Sequence, residues 1–290
     1  MVMATTTLTS HSRLPSWIKV QFPGQPEYLK TRSILQRLRL NTVCQEARCP
    51  NVGECWENRA ATFMILGDVC TRACGFCHVS KGKPKTVDSE EPLRLAQAVR
   101  ELEMRHVVIT SVDRDDLPDG GAGHFAKVVE NIKVLNKDVT VEVLTPDFRG
   151  NKESLRKVLN SPIDVFNHNL ETVPRLYRKA RRGSIYERSL QVLKWAKKLR
   201  PQVLTKSGLM LGLGETFSEV FSVLKDLVNI HCDILTLGQY LRPSVEQLPV
   251  EKFLTPEEFN HFGNEARKMG FRHVESGPLV RSSYHAWKQV

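Results

Sequence analysis

The sequence predicts an α/β fold, a partial (β/α)6 barrel of the TIM type over residues 62–270, with an N-terminal cluster-binding extension (1–61) and a C-terminal extension (271–290). Three observations predict it. From Thr62 onward, short apolar runs of strand length alternate with longer stretches of helical periodicity, the pattern of a parallel sheet wrapped by helices. Several of those runs end in polar residues, as the carboxyl edge of a barrel does. Six of the seven cysteines fall between Cys44 and Cys77, around the entry to the first βα unit.

Met1–Ser12 is rich in Thr and Ser, lacks acids, and reads as a frayed tail. Leu14–Val20, with Trp17, is an apolar patch expected to pack onto the main body. Tyr28–Leu40 reads as a helix with Ile34, Leu35, Leu38 and Leu40 apolar and Lys30, Arg32, Arg37 and Arg39 outward. The core then runs strand Thr62–Leu66, helix Pro92–Leu102, strand His106–Val112, helix His124–Leu135, strand Val139–Leu144 and helix Asn151–Leu159. It continues with strand Val165–Leu170, helix Ile185–Leu199, strand Leu204–Leu211, helix Phe217–Val228, strand Asp233–Gly238 and helix Pro256–Met269, before His273–Glu275.

A hydrophobic fraction of 41% is enough for a sizeable interior, and no run of 18 apolar residues predicts a membrane span. Lys and Arg outnumber Asp and Glu by 42 to 32, so the +10 chain favours an anionic partner without choosing between nucleic acid, a phosphorylated cofactor and an acidic protein. The clustering of cysteines does not suit a disulfide-stapled secreted domain and places the chain in a reducing compartment, the cytoplasm.

Cys70, Cys74 and Cys77, spaced C-x3-C-x2-C, follow the first strand and its Gly67 turn, so three thiolates arrive together at a strand's carboxyl end. Three is the wrong number for a closed tetrahedral zinc site unless His78 joins; it suits a four-iron, four-sulfur cluster with one iron open. Cys74–Cys77 also matches a thioredoxin-like pair, and Cys74–His78 the C-x-x-C-H haem attachment, against which a third nearby cysteine and the lack of a secretion signal both count. Cys44, Cys49 and Cys55 supply a second triplet in a loop softened by Pro50, Asn51 and Gly53, pointing to a second cluster.

Asn167-His168-Asn169-Leu170-Glu171 is too polar for a buried strand, since each unpaired buried polar group costs about 1–3 kcal/mol. Either an internal hydrogen-bond network or a polar ligand satisfies it. Ser111, Asp113, Glu215 and Gln239 lie on the same predicted edge. Gly120–Gly123 and Gly212–Gly214 read as turns, Cys232 as a buried apolar residue, and Arg178–Arg182 as a solvated helix end or a carboxylate binder.

The C-x3-C-x2-C motif resembles that of the radical S-adenosylmethionine superfamily. The C-x4-C-x5-C triplet and Arg281-Ser282-Ser283-Tyr284 resemble two further motifs of the lipoyl synthases, and the similarity runs from about Leu40 to His285. It implies two 4Fe-4S clusters and S-adenosylmethionine as cofactors: Cys70, Cys74 and Cys77 hold the cluster that binds S-adenosylmethionine, while Cys44, Cys49, Cys55 and Ser283 hold an auxiliary one. The implied reaction is a sulfurtransferase reaction. A 5′-deoxyadenosyl radical removes hydrogen from C6 and C8 of an octanoyl chain on a carrier-domain lysine, carbons with no pKa accessible to a general base, and sulfide comes from the auxiliary cluster.

By position, Asn169 and Glu171 are assigned to the ribose hydroxyls, Arg182 to the methionine carboxylate, Ser111 to its amine and Phe76 to the adenine. The implied partners are octanoylated carrier domains (2-oxoacid dehydrogenase E2 subunits and the glycine cleavage H protein) and an electron donor such as flavodoxin or ferredoxin. Nucleic acid and membrane are not expected. The cations of Lys30–Arg39 are the expected docking face for an acidic carrier. A radical methylthiotransferase acting on tRNA, which would carry an added RNA-binding domain, and a two-cluster electron carrier, which has little use for six βα units, are the alternatives.

Overall fold

The computed structural model describes residues 14–290. The N-terminal extension holds α1 (Pro26–Arg37), β1 (Asn41–Thr42), α2 (Val43–Glu46) and α3 (Val52–Glu57). Helix α1 opens on Pro26, whose fixed φ suits a first helical position, and buries Thr31, Ile34 and Leu35. The apolar run continues as β2 (Thr62–Ile65), buried throughout, and the cysteine loop carries β3 (Val69–Cys70) and β4 (Ser80–Lys81), which pair in parallel. Beyond lie α4 (Glu91–Glu101), β5 (His106–Ser111), α5 (Ala122–Leu135), β6 (Thr140–Leu144), α6 (Lys152–Asn160) and β7 (Val165–Asn167). Then follow α7 (Tyr177–Ala180), α8 (Tyr186–Leu199), β8 (Leu204–Leu211), α9 (Phe217–Asn229), β9 (Ile234–Gln239), α10 (Pro256–Met269) and β10 (His273–Gly277).

The main sheet has the order β1-β2-β5-β6-β7-β8-β9-β10. From β2 to β10 every neighbouring pair is parallel, and only β1 runs antiparallel, against β2. Sequential parallel strands joined by helical crossovers curl into an open barrel whose ends are β1 and β10. Helix starts are explicit in the sequence: Thr216 with Glu219 and Thr255 with Glu258 form capping boxes on α9 and α10.

Two charges lie inside the barrel. Lys206, with no exposed surface, sits 3.0 Å from Glu142, and Asn167 donates to the same carboxylate at 2.7 Å. This satisfies part of the polar strand; the Asn167 and Asn169 Oδ1 atoms stay unpartnered.

The six expected βα units are all present, and a further parallel strand, β10, follows them in the C-terminal extension. Two expectations need correction. The Val165–Leu170 strand stops at Asn167; Asn169 lies past its end, and Glu171, at φ +67°, rejoins β8 through a single parallel bridge to Leu209. The Leu14–Val20 patch does not bury its side chains: Leu14 is 58% and Val20 53% exposed. Nearby, contact is made by backbone instead, for a Cβ on Gly53 would lie 2.6 Å from the Gln21 carbonyl oxygen. The Met1–Ser12 tail lies outside the described residues.

Candidate active site

After β2 the chain turns through Leu66 (φ +69°) and Gly67 (φ +95°) and enters the loop bearing Cys70, Cys74 and Cys77. That loop is tied down on two sides. Thr71 N–H donates to the Asp113 carbonyl at 3.0 Å, and Gly75 N–H to the Ala180 carbonyl at 2.8 Å. Between the cysteines Arg72 turns inward, donating twice to Asp115 (2.7 and 2.8 Å), to Asp147 (2.7 Å) and to Ser184 (3.1 Å). Loops after β5 and β6 therefore hold the cysteine loop by its own arginine, a role that motif spacing did not reveal.

The Cys70 sulfur accepts N–H bonds from Arg72 (3.4 Å) and Asp113 (3.3 Å). All seven cysteines are free thiols. Burial pushes Cys44 and Cys70 up to about 11 and Cys74 up to about 12, and raises Cys77 and Cys55 too. A thioredoxin-like pair has its nucleophilic thiol lowered, so this environment speaks against that reading. Arg181 opposes the burial at Cys74 and Lys81 at Cys77, yet both thiols stay raised; metal ligation of such sulfurs displaces the proton.

Among the described residues, no three His, Cys, Asp or Glu side chains close around a point as single-ion ligands do. Thiolates bracketing a cubane stand further apart than those around one zinc, with its sulfur bonds of about 2.3 Å.

One cavity of about 1060 Å³ receives Cys70, Cys74 and Cys77 from one wall and Cys44, Cys49 and Ser283 from another. Phe76, Ser111, Asn169 and Glu171 also line it. Cys55 is absent from that wall; it shares a small adjoining cavity with Cys44, Cys49 and Ser283. Ser282 lines only the larger one. Thr62 Oγ1 donates to Ser283 Oγ at 2.7 Å, a donor aimed at the oxygen that would otherwise stand alone.

Ser111 Oγ and Asn169 Oδ1 are buried without partners, while Asn169 Nδ2 donates to Glu171 at 3.0 Å. Burial raises the Glu171 carboxyl, partly opposed by Arg181.

Of the predicted site residues, Arg182 does not face the cavity, and its neighbour does. Arg182 is exposed and borders a separate surface hollow, whereas Arg181 is buried and reaches the main cavity. The one-turn helix α7 ends at Ala180, and Arg181 leaves helical geometry at φ −127°, ψ 61°, which turns it inward. Tyr177 and Ser189 oxygens accept from its Nη1 at 3.2 and 3.0 Å.

Residues 64–227 match the radical SAM superfamily, and residues 4–49 match the N-terminal domain of lipoyl synthase of that family. A lipoyl synthase from Rubrobacter xylanophilus is 54% identical over 280 residues, covering 97% of this chain and 87% of the relative. The chain belongs to the lipoyl synthase family. A second lipoyl synthase, from Caldanaerobacter subterraneus subsp. tengcongensis, is 56% identical over 274 residues, 94% of this chain and 96% of that one. The crystal structure of methylornithine synthase aligns over 73% of this chain and 69% of its own at a TM-score of 0.54 and 14% identity, which speaks for the fold alone.

Membership makes the chain a radical SAM enzyme with 4Fe-4S clusters and S-adenosylmethionine as cofactors, acting on lipoyl carrier proteins. It sets aside the tRNA methylthiotransferase and the electron carrier. The residues present fit those groups: two enclosed thiol triplets, N–H donors on a cysteine sulfur, and unpartnered Ser111 and Asn169 atoms on the cavity wall. Among the described residues, no helix is long and apolar enough to cross a membrane.

Proposed function

We infer that this protein inserts two sulfur atoms, at C6 and C8 of an octanoyl chain held on a carrier-protein lysine. The observation that carries the reading is the shared cavity, in which thiols of both triplets and Ser283 face one space. When bound, the clusters and S-adenosylmethionine supply one-electron reduction, hydrogen-atom abstraction and sulfide.

Cys70, Cys74 and Cys77 would hold three irons of the first cluster and leave the fourth for the methionine end of S-adenosylmethionine. Arg181, rather than Arg182, meets the carboxylate; burial opposes the charge on its inward guanidinium, but the Tyr177 hydroxyl that accepts from it and the nearby Glu171 outweigh that, and it stays charged. Ser111 Oγ is free to accept from the amine, Asn169 and Glu171 from the ribose hydroxyls, and Phe76 offers a face to the adenine. Cys44, Cys49, Cys55 and Ser283 hold the auxiliary cluster. An alkoxide is a harder donor than a thiolate, which makes Ser283 the labile position, and the Thr62 hydroxyl stabilises it by donating to its oxygen. Met64, Leu209, Met210 and Val280 line the same cavity and give an alkyl chain a water-poor wall.

The carrier domains are those of 2-oxoacid dehydrogenase E2 subunits and the glycine cleavage H protein, the electron donor a flavodoxin or ferredoxin, and the compartment the cytoplasm. On α1, Arg37 is bonded to Glu101 and Lys30 stands 4.0 Å from Glu27, so Arg32 carries more of any steering of an acidic carrier there than those two do. Raising salt is expected to weaken carrier binding.

The test is anaerobic incubation with an octanoyl-lysyl peptide, reductant and S-adenosylmethionine, followed by mass analysis. A product that has gained two sulfurs and lost the matching hydrogens is expected, and its absence from fully reconstituted protein sinks the reading.

A further inference from the structure

The segment between the second and third cysteines of the auxiliary triplet, which turns at Asn51 and runs into α3, does more than space them. Asn51 Nδ2 donates to the Leu279 carbonyl at 2.6 Å, and Glu54 accepts from the Tyr284 hydroxyl on both carboxylate oxygens, at 3.0 and 3.1 Å. His285, stacked on the Tyr284 ring with centroids 3.8 Å apart, brings Nε2 to 3.5 Å from Glu54 and Nδ1 to 3.8 Å from Glu275 of β10. Upstream, Arg281 donates to the Gln239 carbonyl at 3.1 Å, and Val280 crosses β9 so closely that its carbonyl oxygen lies 1.9 Å from where a Cβ on Gly238 would be. Ser283 is therefore held from two sides, by the end of β9 and by the cysteine loop.

We propose that Glu54 is a positioning residue: through Tyr284 it clamps the C-terminal segment to the cysteine loop, keeps Ser283 at the auxiliary site, and sets how readily that site releases and regains iron. The proposal rests on the reading that Ser283 completes the auxiliary cluster. Its physical basis is the strength of a hydroxyl bond to a carboxylate in a half-buried setting, set beside the weak hold a serine oxygen has on iron. Without the clamp, the Asn51 and Arg281 bonds still hold the segment before Ser283 and Thr62 still reaches its oxygen, but Tyr284, the residue that follows it, is no longer tied to the cysteine-bearing segment.

The test uses the full chain, anaerobically reconstituted, as parent and as Glu54→Ala, Glu54→Gln, Tyr284→Phe and Ser283→Ala. Iron release to a chelator is followed by Mössbauer spectroscopy, with the Cys70 triplet's cluster as internal reference, and amide exchange is read over residues 277–290. Glu54→Ala and Tyr284→Phe are expected to speed auxiliary iron release roughly tenfold, the factor for one hydrogen bond to a charged group, and to speed exchange in that segment. Glu54→Gln, which keeps an acceptor oxygen for the tyrosine hydroxyl but not its charge, is expected to fall between the parent and Glu54→Ala. Tyr284→Phe retains the ring stacked on His285 and so carries the test if Glu54→Ala fails to fold.

Unchanged release in Tyr284→Phe alongside faster release in Ser283→Ala overturns the clamp and leaves Ser283 as a ligand. If Ser283→Ala leaves the auxiliary spectrum and the release rate unaltered, the ligand reading itself falls, and the clamp with it.

Discussion

Arg72 lies between two cysteines of the first triplet yet contributes no ligand, and replacing it isolates what the ion network beneath the cysteine loop is worth. Its side chain is 3% exposed and faces Asp115 at 2.7 Å, Asp147 at 2.7 Å and Asp113 at 3.4 Å. Burial alone would lower its pKa, but the three carboxylates outweigh that and raise it, so the guanidinium stays charged. Arg72→Ala leaves Asp147, with no exposed side-chain surface, relying on Arg188 at 2.7 Å. Removing one partner of a buried ion pair costs about 3–5 kcal/mol, because the charge left behind is not rehydrated. Asp113 and Asp115 are 21% and 29% exposed and regain some water, which favours the lower end. At roughly 2–4 °C per kcal/mol for a chain of this size, the expected fall in melting temperature is about 6–12 °C.

Arg72→Lys restores the charge, but one ammonium cannot give two parallel bonds to Asp115 while reaching Asp147, so it should fall between parent and alanine. The assay is anaerobic thermal melting of the metal-free chain, which separates the network from cluster loss. A fall of less than about 2 °C for Arg72→Ala refutes the argument, since it corresponds to under about 1 kcal/mol and the range of exposed pairs.

Other outcomes follow from the same geometry. Arg181→Ala should weaken S-adenosylmethionine binding by roughly 30-fold or more, the cost of leaving a buried carboxylate without its cation, whereas Arg182→Ala should leave it near the parent value in equilibrium binding. His168 is enclosed, and burial together with Arg181 pushes it down from 6.5 to about 3, so the unfolded chain takes the proton first. Its contribution is whole above about pH 6.5 and is lost as pH falls toward 3; in urea titrations across that window, His168→Gln should flatten the slope. Gly238→Ala drives a methyl into the Val280 carbonyl and should destabilise by about 1–3 kcal/mol in denaturant unfolding. Lys206→Ala should cost about 3–5 kcal/mol by stranding Glu142, while Lys206→Met with Glu142→Leu should cost less in the same measurement.

The parts of this molecule that are legible in the sequence are those whose information is local. Barrel helices announce themselves by 3.6-residue periodicity, so predicted and observed ends fall within about two residues. Strand β10 escapes because it is an edge strand with a single buried residue, Val274, and carries no alternation to detect. That Arg181 rather than Arg182 faces the cavity has a similar origin: a four-residue helix followed by a non-helical residue sets no phase, so neighbouring arginines cannot be told apart by period. The Leu14–Val20 patch misleads because apolar composition predicts side-chain burial, while the nearby chain is held by backbone passing over Gly53.

The two cysteine sites differ in the same way. Cys70, Cys74 and Cys77 lie on one short loop, so their spacing alone describes the set. Ser283 meets Thr62 across 221 residues, and Tyr284 meets Glu54 across 230, contacts that exist only once every strand between them is in place. Contacts between residues this far apart carry a loop-closure cost that neighbours on one loop do not, and terminal segments are where local opening is easiest. That asymmetry is the physical counterpart of the proposed chemistry: the first cluster is retained through each turnover, and the second, held by the end of the chain, is the one given up.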